Sequence, residues 1–413
     1  MNARGAARRG RGSPARFVVF PDLAIQRSAG RVVVTNLAHA THLETSEAIL
    51  PLLELFARPR TLASLKAEFR LPPGTFEELR RHAILVPESE LPLVRGGLLA
   101  PSRSPIGESR ALPDLPQRAG RERGFCVVGV PLDRSTASCG ARFGPAAVRG
   151  AFSLELDAPA VVDLDFRRRH DTSRLRVFDL GDLQMQPSET VETIGRRARM
   201  VIERALDAGW VPIVLGGDHS VAWFALEALL DRLPALGVLH FDAHHDLYAG
   251  PPGELAHSNP FAFALERRSL RVLHQIGLRT VEDQPVGTRP ARDRRVRWVS
   301  SRELARMRPA DVFRGLPTTI PYYLSFDIDC MDPSVAPETG TRVPGGLTYA
   351  TAIELVDHAA RRFRIVGADF VEVTRTDGRD NLAASIVARL LAQLVLSAAP
   401  HTRLTSYHFV YER

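Results

Sequence analysis

The sequence has no unbroken apolar run of the roughly 18 residues that a membrane-spanning helix requires, so no crossing helix is expected. Its basic, glycine-rich opening, with Arg4, Arg8, Arg9 and Arg11, has no apolar segment behind it and does not read as a secretory signal. Cysteine is scarce. Cys126, Cys139 and Cys330 form no Cys-x-x-Cys pair, which argues against disulfides or a thiolate zinc site and for buried thiols in a reducing, cytoplasmic setting. Lysine is scarcer still. Lys66 is the only one, so arginine carries nearly all the basic charge behind the net +7. Those arginines are interleaved with acids instead of forming blocks. The pattern reads as a solvated surface, not as a nucleic-acid or membrane patch.

What is present suggests two domains: 413 residues, 45% of them hydrophobic. Residues 1–15 have the composition of a disordered arm. Residues 16–88 read as a small α+β domain. Its expected pieces are short strands at Arg16–Phe20 and Arg31–Val34, helices at Ser46–Phe56, Thr61–Phe69 and Gly74–His82, and a wing strand at Ile84–Val86. Thr61 is placed as the cap of the second helix. Residues 89–122, with Pro92, Pro101, Pro105, Pro113 and Pro116, read as a linker or a strap over the next domain.

From residue 123 to 413 short apolar runs alternate with helical stretches. Strands are expected at Phe125–Val130, Arg176–Leu180, Val211–Leu215, Val238–Phe241, Val272–Ile276, Tyr323–Phe326 and Ile365–Phe370. Helices are expected at Thr190–Ala208, Val221–Leu230, Thr351–Arg362 and Leu382–Leu396. This is the signature of an α/β fold, a parallel sheet with helices on both faces. Ligands in such sheets bind beyond the carboxyl ends of the strands.

Three strand ends carry unusual residues. In Gly216-Gly217-Asp218-His219-Ser220 two glycines let an apolar strand turn and present His219 at a helix start. In Asp242-Ala243-His244-His245-Asp246 the residues Asp242, His244 and Asp246 alternate, so an extended segment would set them on one face. In Asp327-Ile328-Asp329 a third apolar strand ends in two more carboxylates. Two histidines and four aspartates are too costly to bury together without cations. Their mostly oxygen donors suit two hard divalent ions, with manganese fitting better than zinc.

The strings GGDHS, HFDAHHD and SFDIDCMDP resemble the signatures of the ureohydrolases: arginases, agmatinases, guanidinobutyrases and formiminoglutamases. Gly129-Val130-Pro131, the stretch from Gly140 to Arg149, and Gly340-Thr341 with Gly345–Thr348 extend the likeness. The resemblance implies an arginase-like α/β/α fold and two Mn2+ per subunit. His219, Asp242, Asp246 and Asp327 would hold one ion, and Asp242, His244, Asp327 and Asp329 the other. It implies attack on a guanidino carbon by a hydroxide held between the metals, releasing urea and an amine, with Asp246 part of the catalytic set. Glu372 matches the carboxylate that pairs with the substrate guanidinium. His257 aligns with the proton shuttle, although this chain has Ser258-Asn259 where the family usually has Gly.

Tyr248 stands where arginases have an asparagine for the substrate carboxylate, while Glu282 matches the acid for the α-amine. Tyr248, Glu282 and Asn259 are therefore substrate-binding candidates, and agmatine or another guanidinoalkyl compound is favoured over free arginine. The N-terminal domain resembles winged-helix domains, including those that hold precursor peptides in ribosomal peptide-modifying enzymes. That likeness makes an arginine-containing peptide, converted to ornithine, a second candidate substrate. A formimino substrate is a third. A non-catalytic regulatory or nucleic-acid-binding protein would be a different class of function altogether. The family also implies a homo-oligomer.

Overall fold

The computed structural model describes residues 16–19, 23–28, 31–36, 41–56, 60–61, 74–82, 84–87, 99–102, 104–119, 123–134, 140–156, 158–185, 189–248, 253–281, 293–374, 380–398 and 401–403. The chain divides into two compact units, residues 1–98 with 186–188, and residues 99–185 with 189–413.

In the first unit, β1 (Arg16–Val19) pairs antiparallel with β5 (Arg60–Thr61) and β6 (Leu85–Pro87). A separate antiparallel meander joins β2 (Leu23–Ser28), β3 (Arg31–Asn36) and β4 (Thr41–Ser46). Helices run over Leu50–Leu55 and Thr75–Arg81. Val32 and Val34 of β3 point inward at period two, onto Leu52, Phe56, Leu79 and Ile84. Thr61 pairs with Arg16 at the end of β5; the helix expected to follow it, and with it the expected cap, lies outside the described residues. Strands β2 and β4 escape a search for apolar runs because their sequences, LAIQRS and THLETS, are largely polar.

In the second unit the strands are β7 (Leu99–Ala100), β8 (Glu108–Ser109), β9 (Arg123–Val130), β10 (Ala160–Asp163), β11 (Arg168–Asp171), β12 (Leu175–Leu183), β13 (Val211–Gly216), β14 (Leu236–Phe241), β15 (Leu270–Leu278), β16 (Val296–Ser300), β17 (Pro321–Asp327), β18 (Arg364–Val371) and β19 (His401–Arg403). The main sheet has the order β16-β15-β14-β17-β18-β13-β9-β12-β7, with β8 also on β12. Its strands run parallel except for β7. Within the proline-rich stretch, β7 and β8 add to β12, and Ile106 N donates to Asp179 Oδ2 at 2.8 Å. Helices Val191–Asp207 and Val221–Arg232 pack together, as do Tyr349–Arg362 and Leu382–Ser397. Thr190, Thr348 and Asn381 cap three of them by accepting backbone N–H groups. The core between strands and helices is aliphatic and aromatic, with Leu239, Phe241, Leu324, Phe326 and Phe370 at its centre.

The hairpin β10–β11 and the strand β16 were not expected. Both are arginine-rich or half exposed, so they lack the continuous apolar run of a central strand. Cys126 and Cys330 are free and buried; Cys139 lies outside the described residues.

Candidate metal centre and active site

β14, β17, β18 and β13 are consecutive neighbours in the sheet. Their carboxyl ends lie level: Phe241 pairs with Phe326, Asp327 with Val371, and Phe370 with Leu215. The segments after these four strands therefore meet. They carry Asp242, His244 and Asp246; Asp327 and Asp329; Glu372; and His219.

His219 Nδ1 lies 3.1 Å from Asp242 Oδ2, 2.9 Å from Asp246 Oδ2 and 3.3 Å from Asp327 Oδ2. His244 Nδ1 lies 2.9 Å from Asp329 Oδ2 and 3.3 Å from Asp242 Oδ1. All six residues expected as ligands are brought together, in two groups that share Asp242. Alternation along an extended strand is not what does it. The first segment bends at Ala243 and His244, where His244 N donates to Asp242 Oδ1 at 2.6 Å, and Asp246 has φ +50°. The second repeats the device: Asp329 N donates to Asp327 Oδ1 at 2.8 Å across a 3-10 turn, Ile328–Cys330. Each leading aspartate thus closes a turn that aims the next ligand.

Gly217 lets the third segment approach. A Cβ there would lie 1.6 Å from Leu132 O, a backbone atom that cannot step aside. Gly217 N and Asp218 N donate to the carbonyls of Val130 and Leu132.

The ligands are held from behind. His219 Nε2 is 2.9 Å from Ser325 Oγ, which donates to Asp369 Oδ1 at 2.8 Å. The Gln275 amide nitrogen donates to His245 O at 2.6 Å and to His240 Nδ1 at 3.0 Å. That leaves His240 Nε2 to donate its proton to Asp242 Oδ2 at 2.8 Å. His240 is thus a hydrogen-bond partner of a ligand although it stands within the cluster. Sequence reasoning misses His240, Gln275, Ser325 and Asp369. The available signal is period two: His240 and Ser325 each stand two residues before a ligand, on its face of the strand.

Burial, reinforced by the charge of Asp242, pushes Asp246 up to about 7 and Asp329 to about 6. Burial, with Asp329 and Asp242 beside it, holds Asp327 well above the usual carboxylate range. Burial opposes the charge on His244, but Asp242 and Asp329 overcome it and raise the imidazole to about 12. Burial likewise opposes the charge on His219, and Asp242, Asp246 and Asp327 overcome it and raise that imidazole. A buried set of acids that hold protons this strongly is short of positive charge. The donor set, four carboxylates and two imidazoles with Nδ1 atoms aimed at carboxylate oxygens, fits divalent ions.

A cleft of about 340 Å³ opens over the cluster, lined by His219, His244, Asp246, Asp327, Asp329 and Glu372 together with Tyr248, His257, Ser258 and Thr341. Glu372 is buried, has φ +62°, and accepts the His219 N–H at 3.0 Å. Burial, then the charge of Asp218, raises its pKa well above normal. Left-handed backbone at Asp246 and Glu372, neither of them glycine, is strain located at the site. The Tyr248 ring lies tilted against His245, 4.4 Å between ring centroids, and the Tyr248 backbone N–H donates to Ser258 O at 3.1 Å. Asn259 does not face the cleft. Buried, it accepts from Ala256 N at 2.8 Å and donates to Glu254 O at 3.0 Å, so its amide shapes the loop that presents His257. Glu282 lies outside the described residues.

The family model described as "Arginase family" matches residues 123–397. The chain belongs to the arginase family. Among relatives, the guanidinopropionase of Pseudomonas aeruginosa is 33% identical over 284 residues, covering 65% of this chain and 85% of that protein. The agmatinase of Shigella sonnei is 34% identical over 284 residues, covering 67% and 88%. Among solved structures, proclavaminate amidino hydrolase from Streptomyces clavuligerus aligns with TM-score 0.59 and 27% identity over 72% of this chain and 97% of that one. This arginase-family chain is therefore a ureohydrolase-type enzyme with an arginase-like catalytic fold. No helix among the described residues is long and apolar enough to cross a membrane.

Proposed function

We propose that the protein hydrolyses a guanidino group to urea and an amine, acting on a cationic guanidinoalkyl compound of the agmatine type. The observation that carries the specificity is the cleft lining. It holds Asp246, Asp327, Asp329 and Glu372, and no arginine or lysine among the described residues. Among the described residues of the lining a substrate carboxylate meets no guanidinium or ammonium group, whereas Glu372, the one acid there that is not a ligand candidate, is left for a substrate cation. The names of the agmatinase relatives support the same reading.

His219, Asp242, Asp246 and Asp327 would hold one Mn2+, and Asp242, His244, Asp327 and Asp329 a second. Bound as a pair, such ions make water acidic enough to lose a proton near pH 7. The rest falls to side chains. Glu372 pairs with the substrate guanidinium and fixes the guanidino carbon over the cluster. Its own carboxylate is already oriented by the His219 N–H. Asp246 accepts the proton of the attacking water. His257 delivers a proton to the alkyl nitrogen as the carbon–nitrogen bond breaks, so that the products are urea and a free amine. Ser258 beside it does not remove His257 from the cleft.

A second reading takes an arginine side chain of a peptide as substrate. It is favoured by the first unit, where among the described residues β2 is paired on one side only and exposes Ile25 at 44%. Such an edge accepts an added strand. Urea release from agmatine, free arginine, 3-guanidinopropionate and an arginine-containing peptide separates these readings. Agmatine is expected to exceed 3-guanidinopropionate at least tenfold in kcat/KM. Preference for the carboxylate-bearing substrate overturns the specificity argument, and turnover of the peptide alone establishes the second reading.

A further inference from the structure

Arg279 follows β15 and lines neither the cluster nor the cleft, yet it touches both ligand loops. Its backbone N–H donates to Ala243 O at 3.1 Å, inside the loop that carries Asp242 and His244. Its guanidinium reaches the loop after β17. Nη2 donates to Asp329 O at 2.6 Å and Met331 O at 3.1 Å, and Nη1 donates to Cys330 O at 3.1 Å. The remaining donors meet Val343 O, at 2.8 Å from Nη2 and 3.1 Å from Nε, and Gly277 O at 3.3 Å from Nη1. Among the described residues Arg279 makes no ion pair. Among those residues its positive charge is met by carbonyl dipoles.

Three consecutive carbonyls, of Asp329, Cys330 and Met331, turn toward one guanidinium at the end of the 3-10 turn Ile328–Cys330. A short helical turn leaves its last carbonyls without partners inside the turn; here Cys330 O also accepts the Leu347 N–H at 2.9 Å. A planar fork with five N–H donors can hold three neighbouring carbonyls and a fourth segment at once; an ammonium with three donors cannot. The same loop is tied to the first a second time, because Ala243 N donates to Asp329 Oδ1 at 3.1 Å. Arg279 and this bond together therefore hold the separation of the two loops that supply Asp242, His244, Asp327 and Asp329.

We infer that Arg279 is a positioning residue for the second metal ion of the pair, acting through the backbone of Asp329. The inference rests on the dimetal reading. All four proposed ligands of that second ion come from the two loops Arg279 bridges. The first ion takes His219 from a third segment and Asp246 beyond the bend, so it depends on the bridge less. Partners outside the ligand set commonly change metal affinity about 10- to 100-fold, and that range is expected here for one ion of the two.

The test uses the full chain reconstituted with Mn2+. Arg279→Lys keeps the charge and loses the fork; Arg279→Met loses both. Bound manganese per chain, and its rate of removal by a chelator, are followed by electron paramagnetic resonance and elemental analysis, with the melting temperature of the metal-free protein measured alongside. The parent is expected to hold two ions. Both variants are expected to lose one ion at least tenfold faster while retaining the other, and Arg279→Lys is expected to melt like the parent when metal-free. Retention of both ions at parental rates overturns the inference and leaves the dimetal reading intact. Equal acceleration for both ions, or a metal-free Arg279→Lys protein that is already unfolded, makes Arg279 a general fold residue and overturns it as well. A parent that binds fewer than two ions refutes the dimetal reading itself.

Discussion

Glu372→Gln is the substitution that most sharply separates substrate orientation from metal binding. The glutamine keeps an oxygen that can accept the His219 N–H, now made at 3.0 Å, so the backbone at φ +62° retains its support. What disappears is the negative charge offered to the guanidinium. Glu372 is only 8% exposed, so the lost pair is a desolvated, charge-assisted one. Truncating one partner of such a pair typically costs about 2–5 kcal/mol. This corresponds to a loss in kcat/KM of roughly 30-fold to a few thousand-fold. If Glu372 binds ground state and transition state alike, the loss falls in KM; if it serves the transition state, kcat falls too. The assay is urea release from agmatine across a range of substrate concentrations, with bound manganese measured on the same sample. A loss below about threefold, with two ions bound, refutes the role given to Glu372.

The same geometry bears on protons, pH and packing. His219 and His244 hold protons above neutrality, His244 to about 12, and both must release them to ligate a metal. Manganese titrated calorimetrically at pH near 7.5 in two buffers of different ionisation enthalpy should release about two protons or more, and a buffer-independent enthalpy contradicts this. In the metal-free protein Asp246 and Asp329 are raised to about 7 and about 6. The folded state therefore binds more protons than the unfolded one, and their contribution to stability is present below about pH 4 and lost as pH rises through about 6 to 7. The melting temperature of the metal-free protein should fall over that window and recover on adding Mn2+; a rise with pH in the absence of metal opposes the argument. Gly217→Ala places a methyl group 1.6 Å from Leu132 O, so a destabilisation of about 3 kcal/mol or more is expected in denaturant unfolding, and a neutral result means the segment can shift.

Much of the catalytic unit is legible in sequence. Every expected strand there is present, because a central parallel strand buries both faces and reads as a plain apolar run. The helix expected at Thr190–Ala208 is observed at Val191–Asp207, since Thr190 accepts the Thr193 N–H and fixes its start. The six ligand candidates stand out because acids gathered at the ends of apolar strands are costly to bury unless cations meet them. What stays hidden depends on sheet order and loop shape. Nothing in the local sequence says that β14, β17, β18 and β13 are neighbours, so the partnership of Ser325 with His219 or of Gln275 with His240 is invisible before the fold. Asn259 misleads because a polar residue beside His257 looks available, whereas its amide closes the loop around Ala256. The role of Arg279 is written in backbone carbonyls, which have no signature in the side-chain sequence.

The central claim is a paired metal centre acting on a guanidino carbon. Its most direct measurement is made on metal-free protein titrated with Mn2+, following bound metal and urea release from agmatine together. The account predicts that activity climbs as the chain fills to about two ions, with no urea formed before metal is added. Saturation at one ion with full activity, or two bound ions with no urea from any guanidino compound tried, contradicts it.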